Sequence, residues 1–520
     1  MTNLDRGQSG KVYLVGAGPG DPGLITIRGV ECLRRADLVL ADSLVHPGLF
    51  QHIPPSAELI CLGRMGQSDP IPQDQISARM IDAARQGKIV VRLKGGDPMV
   101  FGHGAEEIES LRQAGIPYET VPGVTAALAA AAYADIPITH SAFASAVALV
   151  TAHQPGGNKG PAMDFGALAD FPGTLVFYLG AASARPWTEA LVRRGKPPDT
   201  PAAIVRRCSR SDQETIRCTL GTVAEVMEQR GLGPPTVVLV GPVVAAAPET
   251  SWFAARPLFG VRILITRPRH QAESLADRLA ELGAGVYFQP AIEISDPPDW
   301  QPVDCALQEL DRYDWLVFSS ANGVSSLLDR LWKTHGDLRK LARLKLAAMG
   351  PGTVEELARY RLRADLVPDH YRAEALAEAL AKGAAGRRFL LARASRGREV
   401  LAEGLSRAGG EVHQVVVYCS SDVDRPDPET AALLAAGQID WITVTSSAIA
   451  QSLVRLFGEE LRKARLASIS PVTSEAIRRA GHAPAVEARR YTMAGLVEAI
   501  VTSALAKWTS SCSQELPRKG

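Results

Sequence analysis

The chain lacks any paired-cysteine pattern. Its seven cysteines (Cys32, Cys61, Cys208, Cys218, Cys305, Cys419 and Cys512) are scattered, odd in number and never spaced C-x-x-C. That usage fits reduced thiols in the cytoplasm rather than a disulfide framework or a zinc site. Charge of one sign is lacking too: 57 Lys and Arg stand against 56 Asp and Glu, a formal net charge of +1. A partner bound through nucleic-acid phosphates would call for a basic excess or block, and neither is present. An anionic ligand would be held by local arginine clusters rather than by the global field. Long hydrophobic runs are also missing. The most apolar stretch, 124–138, is alanine-rich and broken by Asp135 and Pro137, too short and interrupted to cross a bilayer. Residues 1–10 (MTNLDRGQSG) hold no apolar core of a signal peptide. No metal, nucleic-acid or membrane partner is expected, and the expected compartment is the cytoplasm.

What is present is an ordinary α/β composition, 46% hydrophobic and 22% charged over 520 residues. At about 150 residues per domain, that length suggests about three or four folding units. Short β-branched runs alternate with helical periodicity. VYLVGAG, ADLVLAD, KIVVRLKGG, TLVFYLG and TVVLVG read as buried parallel strands. The first three end in Gly or Asp and lead through a loop into a helical pattern, the βαβ arrangement. A composition break (AAAPETSWFAARPLFG) places a linker at 246–260. It separates a first half, 11–245, with lobes of about 11–122 and 123–245, from a second half, 261–500. Tails are expected at 1–10 and 501–520.

The second half repeats itself. RILITR (262–267) resembles RFLLAR (388–393), DWLVFSSAN (314–322) resembles DWITVTSSA (440–448), and AAMGPGT (347–353) resembles ASISPVT (467–473). Three segments recur in one order at a period too long for a solenoid. Two similar α/β lobes with a ligand cleft between them follow. Ser319, Ser320 and Asn322, Thr445 to Ser447, Gly350 to Thr353 and Ser470 to Thr473 all stand between a strand and a helix. Such turns cap helices and equally offer N–H groups to anions. Arg267, Arg393, Arg396 and Arg398 lie near strand ends and favour an anion site. No metal cluster, nucleophile elbow or P-loop occurs in this half.

In the first half, Gly16-Ala-Gly-Pro-Gly-Asp21 follows a strand, and Asp42 ends the next one. A dinucleotide loop is the obvious comparison, but its sixth position here is Asp21. Pro19 and Pro22 also remove N–H donors where a pyrophosphate needs them. The GAGPGD loop, Asp42, VRLKGGDPMVFGHGAEE (91–107), VPGVTAALAAAAYADIPITH (121–140), LVTAH (149–153) and TLVFYLG (174–180) resemble, in order, the uroporphyrinogen-III C-methyltransferases. The resemblance implies a two-lobed tetrapyrrole methyltransferase fold of the class III kind, with S-adenosyl-L-methionine bound between the lobes. Cofactor contacts carried over by motif are Pro19, Gly95, Gly96, Asp97, Val100, Thr125, Ala126, Leu179 and Cys208. Asp42 becomes the proton acceptor, with a turn-forming Asx as the lesser alternative for the residue taken alone. Arg64 stands where the family has a proton-donating Lys; a guanidinium stays protonated and suits carboxylate binding instead. His103 replaces an Arg, Leu179 a Met and Cys208 a Gly, while His140 and His153 match family positions.

The ITRP segment, DWLVFSSAN, VVVY (415–418) and the paired Gly/Ser-Pro-x-Thr turns resemble uroporphyrinogen-III synthase over about 261–500. That fold implies pseudo-repeated lobes of 261–294 plus 420–500, and 295–419. By the same resemblance the catalytic residues are Tyr418, the family's most sensitive residue, in the connection between the lobes, and the cleft threonines Thr353 and Thr473. The fusion then implies a bifunctional enzyme. Its second half would close hydroxymethylbilane to uroporphyrinogen III with inversion of ring D, and its first would methylate that product to precorrin-2, toward sirohaem and cobalamin. The methyltransferase family also implies a homodimer. Two alternatives stay open at this level: a methyltransferase acting on a later corrinoid precursor, or one half kept as a non-catalytic tetrapyrrole-binding module.

Overall fold

The apolar runs bounded by glycine and aspartate become the central strands of four five-stranded sheets. The computed structural model describes residues 10–63, 71–152, 163–180 and 183–512. It divides into two units, Met1–Gly260 and Val261–Gly520.

The first unit opens with β1 (Lys11–Gly16), β2 (Leu38–Asp42), β3 (Glu58–Leu62), β4 (Ile89–Lys94) and β5 (Tyr118–Val121), in the all-parallel order β3-β2-β4-β1-β5. Val12, Leu14, Val39, Leu40, Val90 and Val91 are all fully buried, as expected for strands covered on both faces. Parallel pairing brings the carboxyl ends of β1, β2 and β4 to one edge, where α/β sheets bind ligands.

The second sheet of this unit joins β6 (Val147–Thr151), β7 (Thr174–Tyr178), β8 (Pro201–Arg206), β9 (Glu214–Thr219) and β10 (Thr236–Val240) in the order β6-β7-β10-β8-β9. Here the expectation of parallel strands fails in part. β6 and β7 pair in parallel, but the TVVLV strand β10 runs antiparallel to both β7 and β8. A strand buried on both faces has the same continuous apolar run in either orientation, so the pattern could not distinguish them. Residues 246–260, expected as a linker, lie against this unit. Phe253 and Leu258 are buried, and Trp252 donates to Asp135 Oδ2 (2.7 Å) through its backbone and to the Ala132 carbonyl (2.8 Å) through its indole.

The second unit contains β11 (Arg262–Ile265), β12 (Gly285–Phe288), β13 (Ile292–Ser295), β14 (Trp315–Phe318), β15 (Lys345–Ala348), β16 (Arg388–Ala394), β17 (Glu411–Asp422), β18 (Trp441–Val444), β19 (Arg465–Ser468) and β20 (Pro484–Glu487). They form sheets of order β12-β11-β18-β19-β20 and β13-β17-β16-β14-β15. The repeat is visible in the topology: β12-β11-β18-β19 matches β17-β16-β14-β15, strand for strand. Even the terminal β20 has a remnant, a single parallel bridge between Ala347 and Leu366 where the other lobe pairs Ala467 with Val486. The two chain crossings pair with each other, β13 antiparallel to β17, with Ile292 opposite Asp422 and Ser295 opposite Cys419. The crossings therefore fall before Ile292 and after Asp422, a few residues from the 294/295 and 419/420 boundaries expected. A final helix, Met493–Cys512, occupies much of the stretch expected as a tail; Leu496 and Ile500 on its inner face are buried and anchor it.

Candidate functional site

In the first unit the sequence-marked loops meet. Gly18 and Gly96, both at positive φ (76° and 69°), exchange backbone hydrogen bonds of 3.2 and 2.8 Å, which lays the Pro19 turn along the Gly95–Asp97 turn. Gly123 closes over both: a Cβ there would lie 2.3 Å from the Gly96 carbonyl oxygen and 2.7 Å from Gly16 Cα. Asp97 ties these loops, since Oδ1 accepts from Met99 N (2.8 Å) and Oδ2 from Gly123 N (2.9 Å). Thr125 Oγ1 lies 2.7 Å from Tyr178 Oη, which also accepts the Ala127 N–H at 2.7 Å. Burial raises the Tyr178 phenol above its usual range, so it stays protonated. Its ring stacks at a tilt on Phe101, 5.1 Å between centroids. Val100 packs on the cluster that contains Tyr178, Ala127 and Cys208.

Cys208 reaches Ala126 O with its sulfur at 3.9 Å. Burial pushes its thiol up to about 12, which leaves it an inert packing group. Next to it, Ser209 Oγ accepts the Asp21 N–H at 2.9 Å, and Arg210 donates to the Leu44 carbonyl at 2.7 Å. Asp21 Oδ2 in turn accepts from the Tyr133 hydroxyl at 2.7 Å. Among the described residues seven non-glycine positions have positive φ, and five of them (Phe101, His103, Leu179, Arg207 and Ser209) lie on these loops. A side chain in that region costs about 1–2 kcal/mol, and such strain concentrates where geometry serves function.

Asp42 ends β2 at the same edge. Its Oδ1 lies 2.5 Å from Arg92 Nη2, and its Oδ2 accepts from Gly95 N at 3.3 Å. Behind it Arg92, Glu107 and Lys94 form a buried charge network, with Glu107 fully enclosed. Burial lowers the Lys94 ammonium below its usual range while Glu107 opposes the shift. In the sequence this network shows only as two cations inside an otherwise apolar strand, at 92 and 94. Nothing local in the sequence marks Tyr178 and Asp21 as ties between loops. Arg64 and His153 lie outside the described residues. His140 accepts from Ala142 N at 3.1 Å and serves a turn; His103 is exposed beside Glu106, 3.2 Å away.

In the second unit Tyr418, nearly buried at the end of β17's core segment, has its hydroxyl 3.1 Å from Ser320 Oγ. Ser320 caps the helix Ala321–His335 by accepting from Gly323 N at 3.1 Å, and Ser446 caps Ser447–Phe457 the same way through Ile449 N at 3.2 Å. Thr353 and Thr473 occupy equivalent first turns, of the helices Pro351–Arg359 and Pro471–Arg479, and both are buried. Thr473 Oγ1 lies 3.1 Å from Ser470 Oγ, so part of its capacity is taken up by capping. The four arginines separate sharply. Arg393 pairs with Glu399, Arg396 with Asp422 at 2.9 Å and Arg398 with Glu374 at 2.5 Å. Arg267 forms no ion pair among the described residues; its Nη2 contacts Gln271 Oε1 at 3.2 Å and its buried Nε has no partner. Gln271 also reaches Asn322 of the other lobe. Among the described residues no His/Cys/Asp/Glu group is arranged to hold a metal, and no helix is long and apolar enough to cross a membrane.

Residues 11–224 match the family model of the tetrapyrrole (corrin/porphyrin) methylases, and residues 273–498 that of uroporphyrinogen-III synthase HemD. The porphyrin biosynthesis protein HemD of Ruminiclostridium josui is 34% identical over 448 residues, 86% of this chain and 89% of that protein. The uroporphyrinogen-III C-methyltransferase of Bacillus subtilis is 34% identical over 350 residues, 67% of this chain and 71% of that protein. A siroheme synthase of Hydrogenovibrio crunogenus is 42% identical over 246 residues, 47% of this chain and 52% of that protein.

Proposed function

The chain belongs to the tetrapyrrole methylases through its first half and to the uroporphyrinogen-III synthases through its second, and from that membership we propose one bifunctional route: closure of hydroxymethylbilane to uroporphyrinogen III by 261–500, then methylation to precorrin-2 by 11–245. The chain is an enzyme of both kinds, methyltransferase and synthase, in tetrapyrrole biosynthesis. The observation that carries the order of steps is their chemistry: the product of one half is the substrate of the other.

For the methyltransferase, the residues present fit S-adenosyl-L-methionine. Gly96 leaves space beside the first turn of the helix Ala126–Ala134, since a Cβ there would meet nothing nearer than Ala126 N at 3.9 Å. Pro19, Gly95 to Asp97, Val100, Thr125, Ala126, Leu179 and Cys208 would line it. When bound, the sulfonium supplies an electrophilic methyl group. Asp42 takes the proton that the tetrapyrrole loses as its carbon is methylated, and its carboxylate is held for that task from two sides. Arg64 is assigned a substrate carboxylate, because guanidinium does not give up its proton near neutral pH.

For the synthase, Arg267 is the arginine whose charge is left for the substrate, and a bilane bearing carboxylates is the complementary ligand. Tyr418 donates to the departing hydroxyl or to ring D, with Ser320 fixing its direction. Thr353 and Thr473 present the first turns of two helices to the cleft. Isothermal titration with S-adenosyl-L-methionine tests the first assignment: one tight site is expected, and no binding removes it. Bilane turnover by Arg267→Gln tests the second, with a raised KM expected.

A further inference from the structure

Arg92 and Lys94 stand two residues apart on β4 and so face the same side. Glu107, from the helix Gly104–Gln113, sits between them. Its Oε1 accepts from Arg92 Nε at 2.9 Å and from Gln73 Nε2 at 2.8 Å, and its Oε2 accepts from Lys94 Nζ at 2.9 Å. Arg92 Nη1 donates to the Leu40 and Leu93 carbonyls, both at 3.3 Å. Nη2 alone is left to face Asp42, 2.5 Å from Oδ1. Every nitrogen of the guanidinium is thus engaged, and its plane has no freedom to turn.

The four charges alternate in sign and sum to zero. Three are sealed in, with side-chain exposures of 3% for Arg92, 0% for Glu107 and 3% for Lys94, while Asp42 keeps 31%. The network therefore opens at one point, the carboxylate at the cofactor edge. Buried ion networks are poor stabilisers compared with apolar packing of the same volume, so stability alone does not account for two cations inside a core strand. A rigid chain of bonds ending on the reactive carboxylate does account for them, because small displacements of a reacting group cost rate steeply.

We propose that Arg92 is a positioning residue for Asp42 in methyl transfer, with Glu107 and Lys94 locking its guanidinium; this rests on the methyltransferase reading given above. The test uses the full chain and four variants, R92Q, R92K, D42N and D42N/R92Q, with the dissociation constant for S-adenosyl-L-methionine as the check on folding of the first unit and the synthase rate of the same molecules as the measure of intact chain. R92Q is expected to lower methyl-transfer kcat by about 10²-fold with the dissociation constant for S-adenosyl-L-methionine unchanged. R92K, which keeps the charge but cannot span Glu107 and Asp42 together, is expected to recover part of that loss. Because Arg92 acts through Asp42, D42N/R92Q is expected to be no slower than D42N. Loss of cofactor affinity in R92Q, or losses that multiply in the double variant, would show a structural role and overturn the proposal. A full loss in D42N beside an unchanged R92Q rate also overturns it while leaving the role of Asp42 intact; an unaffected D42N rate removes both. If R92Q fails to accumulate, R92K decides: a wild-type rate there overturns the proposal.

Discussion

Asp42 carries the heaviest chemical assignment of any single side chain, and Asp42→Asn is its direct check. The variant is expected to lose about 10²- to 10⁴-fold in methyl transfer while its synthase rate is unchanged, both read in one assay. In the sequence the place of Asp42 is plain, a carboxylate at the end of a buried strand, while its role rests on the resemblance. The tie from Arg92 is not visible there, because Asp42 stands on another strand and only the pairing of β2 with β4 brings the two to 2.5 Å. His46 gives a second test at this scale. Burial, with Arg210 adding to it, pushes its imidazole down to about 4, and its Nδ1 accepts the Gly48 N–H at 3.0 Å, which requires the neutral ring. Unfolded histidine titrates near about 6.5. The stability carried by the neutral ring is therefore complete above that pH and is lost as pH falls through the folded value. Between about pH 7 and 5 this amounts to about 2 kcal/mol. Urea midpoints at the two pH values check it: His46→Asn, which keeps a capping oxygen, should lose less than the wild type, and an equal loss in both would clear His46 of the effect.

Turns and strands carry the next layer. Gly123→Ala is expected to weaken S-adenosyl-L-methionine binding at least about tenfold by calorimetry, because the added Cβ meets backbone at 2.3 Å and backbone cannot swing aside; overpacking of this kind costs about 1–3 kcal/mol. The synthase rate should not change. At this scale the sequence is explicit where periodicity and punctuation agree: β1, β2 and β4 are where the apolar runs put them. It is silent where only pairing direction matters. β10 is buried on both faces in an antiparallel setting, and the β8–β9 hairpin around Cys208 brings a partly strained loop into the site that no local signal announces. In the second unit the repeat predicted two lobes, and the strand orders agree with it. The crossing points are set by the β13–β17 ladder, a contact between segments about as far apart as the lobe is long, which is why the expected boundaries differ by a few residues.

Each unit has its own buried clusters, Val12 to Ala247 in the first and Leu264 to Ile477 in the second. Expressed separately, 1–260 and 261–520 are expected to fold and to keep methyltransferase and synthase activity respectively. An inactive but folded half would show that its site needs the other. A second copy of the chain is the proposed partner of the first unit, where Phe143, Val147 and Leu149 are 36–45% exposed along and just before the edge strand β6. Light scattering should give twice the chain mass, with Leu149→Lys shifting it toward one; an unshifted monomer would remove this pairing. Fusion itself suggests that proximity limits escape of an oxidisable intermediate, which predicts less uroporphyrinogen III released from the intact chain than from the mixed halves. The most direct measurement supplies the purified full chain with hydroxymethylbilane and S-adenosyl-L-methionine and follows the tetrapyrroles formed. Dimethylated product with little free uroporphyrinogen III is the expected result; uroporphyrinogen III accumulating with no methylated product would contradict the bifunctional assignment.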